Sequence, residues 1–240
     1  MLHYKKTTEY LKNTSMWLVR RELTTLLVMV TVTAGFWGFA ELADEVMEGE
    51  TRAFDTAVLL ALHDQDEPIG PHWVQEMGRD FTALGGVAVL TLLTLAVTGF
   101  LLLQGNIRLA LLVLGAVGSG LLISSLLKLG IERPRPDIVP HGSYVYTYSF
   151  PSGHAMQSAV AYLSMGILLA RTQVLRRLKI YVMLVAILIT FLVGVSRVYL
   201  GVHWPTDVLA GWTAGGAWGL LFWWIAHWWE QWEKYTALPD

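Results

Sequence analysis

The chain contains no cysteine. That excludes a disulfide scaffold, a thiol nucleophile, a thiolate zinc site and an iron–sulfur cluster. Charge is scarce as well: Asp, Glu, Lys and Arg make up 15% of the 240 residues, and 17 bases against 19 acids leave a net charge of −2. So small a balance excludes a nucleic-acid binder that works through bulk positive charge, and the composition excludes a disordered chain. Heptad runs, low-complexity tracts and internal repeats are missing too. What remains is apolar, with 54% hydrophobic residues and a mean hydropathy of +0.48. Eleven Trp suit a chain with membrane–water interfaces to anchor. The composition is that of a polytopic membrane protein.

A hydrocarbon core about 30 Å thick is crossed by about 20 mostly apolar helical residues. Charge-free stretches run from Leu23 to Ala40, Phe81 to Ile107, Leu109 to Leu127, His154 to Ala170, Ile180 to Ser196 and Val208 to Trp229. The expected fold is an all-α bundle of six transmembrane helices, at about residues 23–40, 82–103, 108–127, 154–171, 179–196 and 206–229, in one domain over residues 1–240. The first stretch is longer than a signal-peptide core and no small-x-small cleavage site follows it, so it is expected to be retained.

Lys and Arg set the orientation. Lys5, Lys6, Lys12, Arg20, Arg21, Arg108, Arg171, Arg176, Arg177, Lys179 and Lys234 fall on one side of that layout. Arg52, Arg79, Lys128, Arg133, Arg135 and Arg197 fall on the other. Eleven against six puts both termini in the cytoplasm and the acidic Glu41–Asp80 region outside.

Several features read as architectural. Gly211, Gly215 and Gly219 recur every fourth residue and allow close helix packing within the bundle. Trp223, Trp224, Trp228, Trp229 and Trp232 mark an aromatic belt at the cytoplasmic end of the sixth span. The stretch from Asp55 to Asp64 is too short to span and is expected along the outer interface, with His63 and His72 solvated.

Three polar clusters stand at span ends on the outer side: Lys128 with Arg133 to Pro136, Pro151 to His154, and Ser196-Arg197 with His203 to Asp207. Ionisable groups at membrane depth are costly and mark a functional site. Snorkelling or helix capping would account for any one cluster, but not for three of complementary chemistry on one face. Lys128, Arg135 and Arg197 suit a phosphate. Pro151 and Ser152 resemble a helix start, where the amides of Ser152, Gly153 and His154 would face an anion. His203 and Asp207, four apart, let the carboxylate hold one ring nitrogen while the other acts as a nucleophile. His154 is left as a second imidazole. These three are also metal-ligand types, but the neighbouring cations would repel a divalent ion, so neither metal nor other cofactor is expected.

Written out, the clusters are Lys128-LGIERP-Arg135-Pro136, Pro151-Ser152-Gly153-His154 and Ser196-Arg197-VYLGV-His203-WPT-Asp207. In this order and spacing they resemble the signature of the type 2 phosphatidic acid phosphatases, membrane lipid phosphatases related to the vanadium haloperoxidases. The motifs occupy residues 128–207, and every signature position matches. The resemblance implies a metal-free, two-step mechanism: His203 attacks phosphorus, Asp207 orients it, and His154 protonates the leaving group and then helps water hydrolyse the phosphohistidine. It also implies that Lys128, Arg135, Ser152, Gly153 and Arg197 hold the phosphoryl oxygens.

The function expected is hydrolysis of a lipid mono- or pyrophosphate at the outer face of a bacterial plasma membrane. Undecaprenyl pyrophosphate, phosphatidylglycerophosphate and phosphatidic acid are the substrate types; a pyrophosphate would suit the cation-rich site, where Arg133 could reach a second phosphate, and a monoester would fit as well. Transfer of the phosphoryl group to another lipid and a non-catalytic lipid transporter are the alternatives. The partners implied are the lipid phosphate and membrane lipids, with no nucleic acid; oligomeric state stays open. Tyr144, Tyr146 and Tyr148 are candidates for the lipid entrance or for interfacial anchoring.

Overall fold

The computed structural model describes residues 2–64, 67–143 and 147–236, with side chains described between residues 22 and 229. Tyr144, Tyr146 and the side chain of Trp232 lie outside these ranges. The elements follow in the order α1 (Leu2–Glu48), α2 (Arg52–Ala61), a short antiparallel ribbon of β1 (His63–Asp64) and β2 (Glu67–Pro68), α3 (His72–Leu84) and α4 (Val87–Leu103). After them come α5 (Ile107–Ile131), α6 (Gly153–Ser158), a π-helical turn (Ala159–Leu163), α7 (Ser164–Thr172), α8 (Arg176–Tyr199) and α9 (Pro205–Thr236).

Among the described residues, four helices are long and apolar enough to cross a membrane: Glu22–Glu48, Ile107–Ile131, Arg176–Tyr199 and Pro205–Trp229. Helices α3 and α4 pass the same test only as a pair, bent by 46° at Gly85-Gly86. The helical run from Gly153 to Thr172 is not among them, and a π turn divides it into pieces shorter than a span.

These helices are apolar outside and small inside, the reverse of a water-soluble bundle. On α5 the buried positions are Ala110, Val113, Ala116, Gly120 and Ser124, whereas Leu111, Leu121, Leu122 and Leu126 are exposed. On α8, Ala186, Thr190, Val193 and Gly194 face inward while Leu184, Ile187, Leu188 and Phe191 face out. Lipid tails solvate leucine, so helices gain by bringing small residues together and packing their backbones closely.

Close approach is what the glycine stripe on α9 provides. A Cβ built on Gly211 would lie 2.8 Å from the Ser152 carbonyl oxygen, and one on Gly215 would lie 2.5 Å from that of Met156. The stripe is therefore an intramolecular seam that seats α6 against α9. On another face α9 packs antiparallel to α1: Ala43 shares a cluster with Ala210, and Phe36 meets Trp218 edge-on.

Helix α2 packs on the bundle, with Asp55 and Leu59 fully buried against the start of α9, and one expectation for this outer segment needs correction. His63 is buried rather than solvated, and its Nδ1 lies 2.9 Å from the Leu59 carbonyl. His72 is exposed, as expected, and lies near Glu76.

Candidate active site

The end of α5, the loop at residues 132–152, the start of α6, the end of α8 and the start of α9 meet at one end of the bundle. Lys128, Arg135, Gly153, His154, Arg197 and His203 line a single cavity there of about 400 Å³. Leu90, Val117 and Leu121 of α4 and α5 line it too, so the cavity joins cationic and apolar side chains.

His203 reaches this cavity from a tight turn. Gly201 adopts φ +69°, where a side chain would be strained and would strike the Pro140 carbonyl at 2.8 Å. Pro205 then opens α9, as proline does at a first helical position. Asp207, two residues further on, closes the helix start by accepting from the Trp204 amide at 2.9 Å. The same carboxylate oxygen, Oδ2, lies 3.2 Å from His203 Nδ1. Capping of the helix and orientation of the imidazole thus share one atom.

Donors around the ring fix its tautomer. Arg135 Nη1 lies 3.2 Å from His203 Nε2, and a guanidinium can only donate. Nε2 is therefore the bare lone pair, and Nδ1 carries the hydrogen that points to Asp207. Burial is the largest influence on His203, reinforced by Arg197, Arg135, Lys128 and His154, and together they hold its pKa well below the ordinary histidine value. A neutral imidazole presenting a lone pair into a cationic cavity is chemically a nucleophile for an electron-poor phosphorus.

The cations are held by neutral oxygens, which leaves their charge uncancelled. Lys128 Nζ donates to the Tyr148 carbonyl at 2.7 Å. Arg135 donates from Nε to the Thr147 carbonyl at 2.7 Å and from Nη1 to that of Val202 at 2.6 Å. Burial lowers the pKa of Arg135 while Asp207 raises it. Arg197, 3% exposed, donates from Nη1 to Thr82 Oγ1 at 3.0 Å, and its Nε is buried with no partner among the described residues.

Ser152 departs from the expectation. Its amide is not free, because it donates to the Asp207 carbonyl at 2.9 Å, and its hydroxyl accepts from the Ala155 amide. The residue is fully buried and does not line the cavity, so Gly153 and His154 supply the helix-start amides that border it. Among the described residues no three His, Asp or Glu side chains gather as a metal-binding group.

Arg133 also departs from it. Instead of pointing at a second phosphate, it bridges two buried carboxylates, from Nη1 to Asp207 Oδ1 and from Nη2 to Asp55 Oδ2, each at 2.6 Å. Thr206 sits between them: Asp55 accepts from its amide at 2.9 Å and from its hydroxyl at 2.7 Å. Ser149, fully buried, donates to Asp207 Oδ2. Sequence reasoning had missed Asp55 and Ser149, since neither stands in a motif. The signal within reach was an acidic residue in a short helix with an otherwise apolar run behind it.

The chain is also similar to known proteins. The family model described as the PAP2 superfamily matches residues 109–231. The chain is 38% identical over 146 residues to phosphatidylglycerophosphatase B of Bacillus subtilis, covering 60% of this chain and 70% of the relative. It is 28% identical over 192 residues to lipid A 1-phosphatase of Rhizobium etli, covering 69% and 78%. An undecaprenyl-diphosphatase of Sulfolobus acidocaldarius is 46% identical over 68 residues, which cover 28% of this chain and 29% of that protein. Among solved structures, the crystal structure of a transmembrane PAP2 type phosphatidylglycerolphosphate phosphatase from Bacillus subtilis superposes with a TM-score of 0.75 at 32% identity, covering 82% of this chain and 96% of that one. With the family model spanning the stretch that carries both histidines and all three cavity cations, this chain belongs to the PAP2 superfamily of membrane phosphatases.

Proposed function

We propose that the chain is a multi-pass membrane enzyme that hydrolyses lipid phosphates through a phosphohistidine at His203. The observation that carries this is the pairing of a bare His203 Nε2 with three cations around one cavity that apolar side chains also line. Relatives named for phosphatidylglycerophosphate, lipid A and undecaprenyl diphosphate support a lipid phosphate as the substrate class.

In the first step the Nε2 lone pair attacks phosphorus, while Nδ1–H stays on Asp207 and the positive charge on the ring is stabilised there. The bond from phosphorus to the lipid oxygen breaks, and His154 takes the proton that the phosphate monoanion brings into the cavity and passes it to that oxygen. In the second step His154 takes a proton from water, the resulting hydroxide attacks phosphorus, and the N–P bond breaks to release phosphate. Lys128, Arg135, Arg197 and the amides of Gly153 and His154 neutralise the phosphoryl oxygens throughout. Ser152 holds the helix that presents them.

Because Arg133 is committed to two carboxylates, the cavity has the charge for one phosphoryl group, which favours a monoester. The apolar side chains of the cavity would take the lipid tails. In the proposed topology the run 153–172 counts as one span, which at 1.5 Å per residue covers about 30 Å, and α3–α4 counts as one bent span, giving six. The single domain covers residues 1–240, both termini are cytoplasmic, and the cavity opens on the extracytoplasmic face of a bacterial inner membrane, in line with the Lys and Arg distribution.

The test is phosphate release from purified protein across phosphatidylglycerophosphate, phosphatidic acid, lipid A 1-phosphate and undecaprenyl diphosphate, compared by kcat/KM. The proposal expects turnover of at least one lipid, persistence in excess chelator, and loss in His203→Ala. Activity that survives His203→Ala contradicts it.

A further inference from the structure

Asp55 belongs to a helix that carries no signature residue, yet it is fully buried and makes three close polar contacts. Its partner Arg133 is also mostly buried, and the second carboxylate on that guanidinium is Asp207. The contacts form one unbroken line: Asp55 to Arg133 at 2.6 Å, Arg133 to Asp207 at 2.6 Å, Asp207 to His203 at 3.2 Å. Burying three charges is expensive, and such groups add little net stability over apolar replacements. A cost of that kind next to the reactive ring asks for another explanation.

Electrostatics supplies one. Alone with Arg133, Asp207 would be close to neutralised and a weak acceptor for the charge that grows on His203. Asp55 takes half of the guanidinium and leaves the trio with one net negative charge, directed at the ring through Asp207 Oδ2. Asp55 also holds the Thr206 amide, so it fixes the backbone turn from which Asp207 projects. We infer that Asp55, acting through Arg133, is a positioning residue that keeps Asp207 in the geometry and charge state that orient and activate His203.

The inference rests on the proposed phosphatase function. Asp55→Asn keeps the shape and the acceptor for Thr206 but loses the charge. It should lower kcat about 10- to 100-fold, the range seen when the outer partner of a ligating group is removed. KM and the inhibition constant of orthovanadate should stay within about twofold, since the cations that hold the phosphoryl group are untouched. Arg133→Lys keeps a positive charge but cannot bridge two carboxylates, and it should reproduce the kcat loss at an unchanged melting temperature. Adding Asp55→Asn to Arg133→Lys should cost little more, because both act on one line of contacts. Wild-type kcat in Asp55→Asn overturns the inference. So does a parallel loss of kcat, orthovanadate binding and melting temperature in both variants, which marks a purely structural pair. If the wild-type protein releases no phosphate from any lipid, the proposed function itself fails. An active wild type, inactive His203→Ala and unimpaired Asp55→Asn sink only the inference.

Discussion

Arg135 Nη1 stands 3.2 Å from Nε2 of His203, so a group that can only donate hydrogen bonds caps the nitrogen that would attack phosphorus. The contact pins the lone pair toward the cavity. The same ring is held from behind by Asp207 at Nδ1. Reactivity therefore depends on a tautomer chosen by both neighbours.

Replacing Asp207 with Asn should break that choice. An amide can donate to Nδ1 and leave the hydrogen on Nε2, where it blocks attack. By analogy with hydrolases whose catalytic histidine loses its carboxylate, kcat should fall by about three to four orders of magnitude with KM little changed. Steady-state kinetics of Asp207→Asn on the best lipid checks this. A loss carried in KM instead would mean that Asp207 acts on binding.

His203 also predicts a pH dependence of stability. Its folded pKa is depressed below the ordinary 6.5, so the unfolded chain binds this proton more readily than the folded protein does. The stability it contributes is complete above about pH 6.5 and is lost as the pH falls below that value toward the folded pKa. The melting temperature of the wild type should therefore drop from pH 7 to pH 5, and His203→Gln, with nothing to titrate, should drop less. Identical slopes contradict the depressed pKa.

Arg197 carries a buried Nε with no partner among the described residues, while its Nη1 is fixed on Thr82. Such an orphaned donor suits a phosphoryl oxygen. Arg197→Lys keeps the charge and loses this donor, so the inhibition constant of orthovanadate should rise about ten- to a hundredfold, the equivalent of about 1.5–3 kcal/mol for a charge-assisted bond. An unchanged constant would remove Arg197 from the phosphate site.

The seam under α6 separates two adjacent glycines. A Cβ at Gly215 would sit 2.5 Å from a backbone oxygen, which cannot give way without moving α6, whereas nothing lies within 4 Å of one at Gly216. Gly215→Ala should cost about 1–3 kcal/mol of stability and reduce activity by displacing His154. Gly216→Ala should leave both intact. Melting curves and phosphate release on the pair check it, and equal behaviour refutes the seam.

Much of this was legible in the chain. Lys128, Arg135, Gly153, His154, Arg197 and His203 meet in one cavity, and their spacing had grouped them because each motif stands at a helix end, where local sequence controls direction. The glycine stripe was legible as packing for the same local reason. The bridge that Arg133 makes was not legible, because its partner Asp55 lies 78 positions away and no local pattern records a contact that depends on docking α2 against α9. Ser152 was placed among the phosphate donors because a helix start exposes amides in general, but here the returning α9 backbone occupies the first of them. The helix around the fourth expected span reads as unbroken in sequence, while a π turn divides it in the structure.

The most direct test of the central claim is trapping of the covalent intermediate. Purified protein is mixed with a lipid phosphate carrying a radiolabel on phosphorus, quenched in alkali, and digested for peptide mapping. The account predicts a transient label that is stable to alkali and labile to acid, located on His203 and absent from His203→Ala. A label on any other residue, or an active wild-type enzyme that never acquires one, contradicts it.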